Sequence, residues 1–161
     1  MKLEKAIFAC GCFWGAQYQF EHAKGVVRST VGYIGGHKEH PAYEEVKAHT
    51  TGHAEATLVE FDAEQTSFTE LCKLFFEIHD PAQTDGQGPD IGPQYRSEIF
   101  YLNDKQKKEA EAVIALLREK GYEVNTKLTP ATTFWEGEEY HQHYYDKTGG
   151  EPYCHIRVKK F

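Results

Sequence analysis

The residue types that could do chemistry are concentrated first in a short motif near the start of the chain. Residues 11–15 read Gly-Cys-Phe-Trp-Gly, which sets one thiol, Cys12, between two glycines and beside two large aromatic side chains. An apolar run precedes the motif and predicts a strand over Lys5–Ala9, and a helix is predicted over Ala16–Ala23. A thiol at a strand-to-helix turn meets the positive end of the helix dipole, which favours thiolate over thiol. The motif therefore predicts a nucleophilic or redox-active cysteine beside an apolar pocket.

A structural role for the same motif is open at this point. Free cysteine is among the most buried residue types, and a Phe-Trp pair at the start of a helix commonly packs into a core. A core cysteine, a hydrolase nucleophile and a redox cysteine are all compatible with the five residues alone. The rest of the chain has to distinguish between them.

The composition is that of a globular domain and is not typical of a nucleic-acid-binding protein. The chain has 161 residues, is 40% hydrophobic and 27% charged, and carries a formal net charge of −7. The negative charge argues against a nucleic-acid surface as the main function. We expect one catalytic domain over residues 1–161, with a C-terminal tail over about 147–161, and a monomer.

Four cysteines occur without the spacing of a zinc site. They are Cys10, Cys12, Cys72 and Cys154, and they form no C-x-x-C pair. No signal peptide or membrane span is visible, so we expect a cytoplasmic protein in which thiols stay reduced.

The elements that must position Cys12 alternate between strand and helix without strict βαβ order. Strands are predicted over Val26–Tyr33, Ala54–Phe61 (half-buried), Glu98–Leu102 and Tyr122–Leu128, in addition to the strand before the motif. Helices are predicted over Phe68–His79, capped by Thr66 or Ser67, over Lys105–Lys120, capped by Asp104, and near Glu138–Asp146. A long loop rich in Pro, Gly and Asp lies before Glu98 and is a candidate functional loop. These elements predict an α+β sandwich with helices packed on a mixed or mainly antiparallel sheet.

Three further clusters follow the cysteine motif in order. They read Gly-Tyr-Ile-Gly-Gly over 32–36, Gly-His-Ala-Glu-Ala over 52–56 and Asp-Ile-Gly-Pro-Gln-Tyr-Arg-Ser over 90–97, with His-Asp-Pro at 79–81 between the last two. Together, in this order, the motifs closely resemble those of the peptide methionine sulfoxide reductase A family, over nearly the whole chain from about Ala6 to Cys154. The resemblance implies a ferredoxin-like α+β core. It also implies thiol-dependent reduction of the S epimer of methionine sulfoxide, free or in proteins, and so repair of oxidised proteins, without metal or cofactor.

The resemblance also implies roles for individual residues. Cys12 matches the catalytic nucleophile, and Phe13 and Trp14 match the pocket that receives the substrate methyl group. Glu55 matches the acid beside the sulfoxide oxygen, and Tyr33 and Tyr95 match the hydroxyl donors to that oxygen. Asp90 matches a polar contact to the main-chain side of the substrate. Glu55 can give a proton near neutral pH only if burial keeps its carboxyl group protonated.

The C-terminal tail is where the chain departs from the family. Cys154 matches the resolving cysteine that would form a disulfide with the oxidised Cys12, and thioredoxin, or dithiothreitol in vitro, would then reduce that bond. Here His155-Ile156-Arg157 follows Cys154, with no later cysteine and no glycines. A second disulfide relay is therefore not expected. We interpret Cys10 as a bystander that could also pair with Cys12, and Cys72 as a core residue.

Two other function classes are compatible with parts of the sequence. A Cys–His acyl-transfer hydrolase would use Cys12 with one of nine histidines as base. A metal-binding module would use the histidines crowded between positions 37 and 53, or the H-x-H pair at 141 and 143 near the Cys154-His155 dipeptide. Dependence on a thiol reductant separates the reductase from the hydrolase, and retained activity after chelation would argue against the metal.

Overall fold

The computed structural model describes residues 1–150, 155 and 157–161 of the chain. Within those residues the strands are β1 Leu3–Cys10, β2 Val26–Ile34, β3 Ala54–Asp62, β4 Gly86–Gln87, β5 Asp90–Ile91, β6 Ser97–Tyr101, β7 Lys127–Pro130 and β8 Trp135–Glu136. The helices are α1 Phe13–Glu21, α2 Tyr43–Lys47, α3 Phe68–Glu77, α4 Asp104–Glu119 and α5 Tyr144–Thr148. None of the described helices is long and apolar enough to cross a membrane.

The main sheet has a ferredoxin-like centre. Its strand order is β7-β6-β1-β3-β2-β8, and β1, β2, β3 and β6 pair with one another in antiparallel fashion. With α1 between β1 and β2 and α3 between β3 and β6, these elements form a βαββαβ unit. Only the pairing of β6 with β7 is parallel among the described strand pairs. The predicted α+β sandwich with a ferredoxin-like core is confirmed.

The three longer helices cover one face of the sheet. Phe8 of β1 stacks on Phe20 of α1 and on Phe68 and Phe75 of α3, with ring centroids 5.0 to 5.8 Å apart. Apolar residues of α4 join the same core, among them Ala110, Val113 and Leu117. Each helix therefore buries an apolar stripe against β1 and its neighbours.

The opposite face of the sheet is also covered, which the sequence pattern did not indicate. Ile34, Ala56 and Phe100 form a second apolar cluster there, packed by Ala131 and Phe134. As a result β3 is buried on both faces over its first four residues, so the prediction of a half-buried strand is wrong for that stretch.

Three local predictions differ from the structure at element ends. Helix α4 is capped by Asn103, whose Oδ1 accepts from the Gln106 N–H at 2.9 Å, so Asp104 is the first helical residue and not the cap. The predicted strand over Tyr122–Leu128 forms only from Lys127, because Asn125 instead donates its N–H to the Pro81 carbonyl at 2.8 Å. The predicted helix near Glu138–Asp146 is interrupted by His143, whose φ is +53°, and α5 begins after it. Ser67 caps α3 as predicted, accepting from the Glu70 N–H at 3.1 Å.

Candidate active site

Cys12 lies at the junction of β1 and α1, as the motif predicts. It immediately precedes the first helical residue and its carbonyl accepts from the Ala16 N–H, which closes the first turn of α1. Gly11 makes the sharp bend with φ +103°, and a Cβ there would lie 2.9 Å from the Gln87 side chain. Cys12 is 8% exposed. The thiol is thus shielded from bulk water at the positive end of a helix, where a thiolate is favoured.

Glu55 brings a carboxyl group to the same place from the middle of the sheet. Its Oε1 accepts a hydrogen bond from the Phe13 N–H at 3.2 Å, and the residue is 2% exposed. Burial, together with the negative charges of Cys12 and Asp90, raises the pKa of Glu55 well above its usual range, although the Phe13 N–H opposes this.

The charge of Cys12 thus acts on the Glu55 carboxyl group. Ionisation of one group disfavours ionisation of the other, because both lie in a water-poor site. A protonated Glu55 places a possible proton donor beside the Cys12 thiol.

Two tyrosines from separate elements lie near Cys12 and Glu55. Tyr95, from a short 3₁₀ turn over 93–95, and Tyr43, the first residue of α2, are both partly exposed. Burial and the charges of Glu55 and Cys12 raise the pKa of Tyr43 to about 12. Burial, Glu55, Tyr43, Asp90 and Cys12 likewise raise the pKa of Tyr95. Both hydroxyls therefore remain protonated and able to donate near the thiol.

Tyr33, the other tyrosine predicted from the sequence, uses its hydroxyl differently. It lies directly opposite Glu55 in the β2–β3 ladder and is 0% exposed. Its ring packs on Phe13 at 5.6 Å, and its hydroxyl donates to Glu138 Oε1 at 2.8 Å.

An aromatic wall stands beside Cys12 on α1. Phe13 is buried, whereas Trp14 is partly exposed and stacks on Tyr144 with ring centroids 3.9 Å apart. Trp14 Nε1 donates to His141 Nδ1 at 2.9 Å, and the His141 ring packs on Phe13 at 5.2 Å. These contacts fix the indole in place, so an apolar group brought to Cys12 would meet a preformed surface.

Asp90 lies at the rim of the same site. It begins β5 in the loop that the sequence marked as functional, and it is partly exposed. Its charge contributes to the raised pKa values of Glu55 and Tyr95. A polar group of a substrate could therefore reach Asp90 while its reacting atom meets Cys12.

The remaining cysteines differ in their surroundings. Cys10 and Cys72 belong to the helix-face core, and burial raises the pKa of each thiol. The predicted resolving residue Cys154 lies outside the described residues. Its neighbour His155 is fully buried, with its two ring nitrogens 2.9 Å from the Cys12 and Ile78 carbonyl oxygens.

Of the histidines considered for a metal site, only His143 joins a group of potential ligands in the described part of the chain. His53 Nδ1 accepts from the Gly36 N–H, and its Nε2 faces the Lys38 carbonyl. Among the described residues, the only three potential ligands within coordinating distance of one another are Glu21, His143 and Asp146. They lie around the C-terminal end of α1, at the opposite end of the helix from Cys12.

The sequence-based prediction of site residues missed Tyr43 and Glu138 and considered His141 only as a metal ligand. Tyr43 begins α2, and Glu138 and His141 lie around a 3₁₀ turn whose packing on Tyr43 has no local signature. A local signal existed only for the start of α2, where Glu45 Oε1 accepts from the Ala42 N–H at 3.0 Å.

Comparison with known proteins identifies relatives across almost the whole chain. The family model described as peptide methionine sulfoxide reductase matches residues 4–161. The peptide methionine sulfoxide reductase MsrA of Acinetobacter baumannii (strain AYE) is 43% identical over 156 residues, covering 97% of this chain and 90% of the relative. MsrA of Geobacter sulfurreducens is 48% identical over 151 residues, covering 92% and 93%.

Solved structures give the same result for the fold. Mxr1 from Saccharomyces cerevisiae in reduced form superposes with a TM-score of 0.91 at 34% identity, covering 99% of this chain and 93% of the other. A second structure, of Mxr1 in complex with Trx2, superposes with a TM-score of 0.66 at 24% identity, covering 99% and 91%.

Proposed function

The chain belongs to the peptide methionine sulfoxide reductase family, and on that premise we propose that it reduces methionine-S-sulfoxide, free or in proteins, with Cys12 as nucleophile. The observation that carries the proposal is the buried Glu55 carboxyl group beside Cys12 at the start of α1. A sulfoxide needs both attack on sulfur and a proton on oxygen, and this pair supplies both groups.

The first step converts the thiol into a sulfenic acid. The Cys12 thiolate attacks the positively polarised sulfoxide sulfur while Glu55 gives its proton to the oxygen. The sulfur–oxygen bond then breaks, the hydroxide attacks the Cys12 sulfur, and the new sulfur–sulfur bond breaks with its electron pair going to the sulfur of the departing methionine. The thiol is oxidised by two electrons and the sulfoxide is reduced by two, so no cofactor is needed.

We propose that Tyr33 and Tyr95, the tyrosines implied by the family resemblance, donate their hydroxyls to the sulfoxide oxygen, with Tyr43 as a further candidate. Tyr95 and Tyr43 are influenced by the charges of Glu55 and Cys12, and both are partly exposed. Such donors stabilise the negative charge that builds on oxygen in the transition state. The Tyr33 hydroxyl donates to Glu138 in this structure, and its contact with the sulfoxide oxygen stays a prediction.

The aromatic wall and Asp90 would orient the substrate. Phe13 and Trp14 offer an apolar surface for the methyl group and exclude water from the reacting atoms. Asp90, at the rim, would accept from the main-chain N–H of the oxidised residue. Placing methyl, oxygen and main chain in three separate environments would select one sulfoxide epimer.

We propose that Cys154 resolves the sulfenic acid and that thioredoxin reduces the resulting disulfide. Attack of a second thiol on the Cys12 sulfenic acid forms a disulfide and releases water. An external dithiol then restores both thiols by exchange. The yeast relative was crystallised in complex with Trx2, which supports a thioredoxin as the reductant here.

The hydrolase alternative is not supported by the two described histidines that contact the Cys12–Phe13 turn. Both ring nitrogens of His155 face carbonyl oxygens, and His141 Nδ1 accepts from Trp14, which leaves the proton of a neutral His141 ring on Nε2. Family membership agrees with the reductase.

The deciding experiment is a single turnover of the separate S and R epimers without reductant. We expect wild-type protein to release one equivalent of methionine from the S epimer, and peptide mapping to find a Cys12–Cys154 disulfide. Cys12→Ser should release none, whereas the matched control Cys72→Ala should behave as wild type. Activity on the R epimer alone, or release by Cys12→Ser, would overturn the proposal.

A further inference from the structure

Three potential metal ligands meet where the C-terminal end of α1 faces α5, at the far end of the helix from Cys12. They are the carboxyl groups of Glu21 and Asp146 and the ring of His143, whose ligand atoms all lie within 4.8 Å of one another. Glu21 Oε2 lies 2.6 Å from His143 Nδ1, and the Glu21 side chain is 14% exposed. One imidazole and two carboxylates form a donor set that suits a divalent transition metal.

We propose that Glu21, His143 and Asp146 bind one Zn²⁺ ion or a similar divalent transition-metal ion, and that this ion joins α5 to α1. The site is separate from the catalytic residues, and the ion takes no part in the reduction. The inference therefore does not depend on the proposed function.

A buried side chain of α1 holds the backbone that carries one of the ligands. The His143 N–H donates to Gln17 Oε1 at 2.6 Å, and Gln17 Nε2 donates to the Ser29 carbonyl of β2 at 3.1 Å. Gln17 is 1% exposed and lies one helical turn before Glu21, on the same side of α1. The backbone of His143 is therefore fixed relative to Glu21 before an ion binds, as a metal site requires.

A buried hydroxyl beside the three ligands lacks a protein partner. Ser29 is 3% exposed, and its Oγ has no hydrogen-bond partner among the described residues. Along β2 the Ser29 side chain shares a face with Tyr33, whose ring packs on Phe13 of α1, so Ser29 points toward α1. With Glu21 and His143, Ser29 lines a cavity of about 280 Å³. A water molecule bound to the ion would supply the hydrogen bond that the hydroxyl lacks.

The charges around the three ligands also favour a cation. Burial and a hydrogen bond to the Asp146 carboxyl group raise the pKa of Glu21, although His143 opposes this. A divalent ion would replace the proton that the two carboxyl groups share. The sequence of α1 contains no lysine or arginine, so no basic side chain of its own balances the negative end of the helix dipole. Arg28 also lines the cavity, but its Nε lies 3.6 Å from Glu60 Oε2, which balances its charge.

An ion at this site would act on the aromatic wall beside Cys12. His143 immediately precedes Tyr144, the first residue of α5, whose ring stacks on Trp14 at 3.9 Å. Helix α5 has five residues, and helices of that length are not stable by themselves in water. Because His143 and Asp146 lie on either side of Tyr144, the ion would hold α5 on α1 and so stabilise the stack on Trp14.

The test is calorimetric titration of Zn²⁺ into protein that carries Cys12→Ser and Cys154→Ser, because thiolates also bind Zn²⁺. We expect one ion per chain, and a higher unfolding temperature with Zn²⁺ than without it. His143→Asn and Asp146→Asn should each weaken binding by about 10-fold or more, since loss of a residue that only supports a ligand already costs that much. Both positions are exposed, and asparagine tolerates the positive φ of residue 143.

The matched control is His22→Asn at the same end of α1. His22 Nδ1 lies 2.7 Å from the Tyr18 carbonyl oxygen, and His22 is not one of the three ligands, so this variant should bind Zn²⁺ as tightly as the starting protein. X-ray absorption of the bound ion should show nitrogen and oxygen ligands at about 2.0–2.2 Å and no sulfur.

Three results would overturn the inference. They are the absence of saturable binding, an affinity in His143→Asn and Asp146→Asn equal to that of the starting protein or of an equally weakened His22→Asn, and sulfur among the ligands of the ion. None of them bears on reduction by Cys12, which the single-turnover experiment tests separately.

Discussion

The Glu55 carboxyl group has its chemistry set by three neighbours and by the absence of water. Burial and the charges of Cys12 and Asp90 favour its neutral form, whereas the Phe13 N–H favours the ionised form. A solvated glutamate on the same strand would be ionised at neutral pH and would hinder a thiolate. The proposed proton donation by Glu55 therefore depends on the raised pKa that its surroundings cause, and not on the residue type alone.

Glu55→Gln should separate catalysis from stability. Loss of the proton donor should lower the single-turnover rate by about 10²- to 10⁴-fold. The pKa of Glu55 is raised on folding, so the folded state holds a proton that the unfolded chain has lost above about pH 4.5. Wild-type stability should therefore fall as pH rises above that value, and the variant should lack this part of the fall.

The measurement is urea unfolding of both proteins at pH 5 and pH 8. The control is Glu111→Gln at an exposed position, and its unfolding free energy should depend on pH as that of wild type does. An equal change in unfolding free energy for wild type and Glu55→Gln between the two pH values would contradict the raised pKa.

At the scale of elements, α1 and the C-terminal segment are fitted to each other around Gly15. A Cβ at Gly15 would lie 2.4 Å from the His155 ring, which is itself held between two carbonyl oxygens. Gln19 of α1 also donates from Nε2 to the His155 carbonyl at 2.6 Å. Gly15 lowers the helix propensity of α1, but its missing side chain leaves room for the His155 imidazole beside the turn that carries Cys12.

Gly15→Ala should reveal this fit. The substitution favours the helix by about 1 kcal/mol, but the overlap with a fixed ring should cost about 1–3 kcal/mol, for a net loss of stability. In a His155→Ala background the overlap is absent, so Gly15→Ala should be neutral or stabilising. Unfolding free energies of the four proteins test the coupling, and equal effects of Gly15→Ala in both backgrounds would reject it.

At the scale of the whole molecule, residues 157–160 are joined to α3 through Glu77. Glu77 accepts from Arg157 Nε at 2.9 Å and from the Lys160 N–H at 3.0 Å, and its carbonyl accepts from the Val158 N–H at 2.8 Å. These bonds link residues 157–160, which follow His155, to the helix layer. The hydrogen bonds from Lys160 and Arg157 outweigh burial and lower the pKa of Glu77.

Glu77→Gln should destabilise the protein most at neutral pH. Because the pKa is lowered on folding, the carboxylate contributes stability above the unfolded value of about 4.5 and loses it as pH falls through the folded value. We expect a loss of about 1–3 kcal/mol at pH 7 that shrinks on acidification. Thermal or urea unfolding at pH 7 and pH 3.5 measures it, with Glu111→Gln as the control; a difference that does not depend on pH would contradict the assignment.

Much of the fold and the centre of the site could be predicted from local sequence. Periodicity placed β1, β2, β3, α3 and α4 within a few residues, because strand and helix faces repeat at fixed intervals. The cysteine motif, set between a strand and a helix, was enough to predict a nucleophile at the N-terminus of α1. The order of motifs was enough to indicate the family.

Tertiary structure decided which hydroxyl points where and which groups lose water. The Tyr33 hydroxyl and the Tyr43 backbone N–H both donate to the distant Glu138, which no local pattern around either tyrosine indicates. Likewise the Pro81 carbonyl, not β propensity, determines the backbone at Asn125. Hydrogen-bond direction and burial depend on partners far along the chain, whereas periodicity depends on near neighbours. The sequence by itself was therefore enough to propose Cys12 as the attacking thiol, but only the tertiary structure decided the protonation and the hydrogen-bond partners of the groups around it.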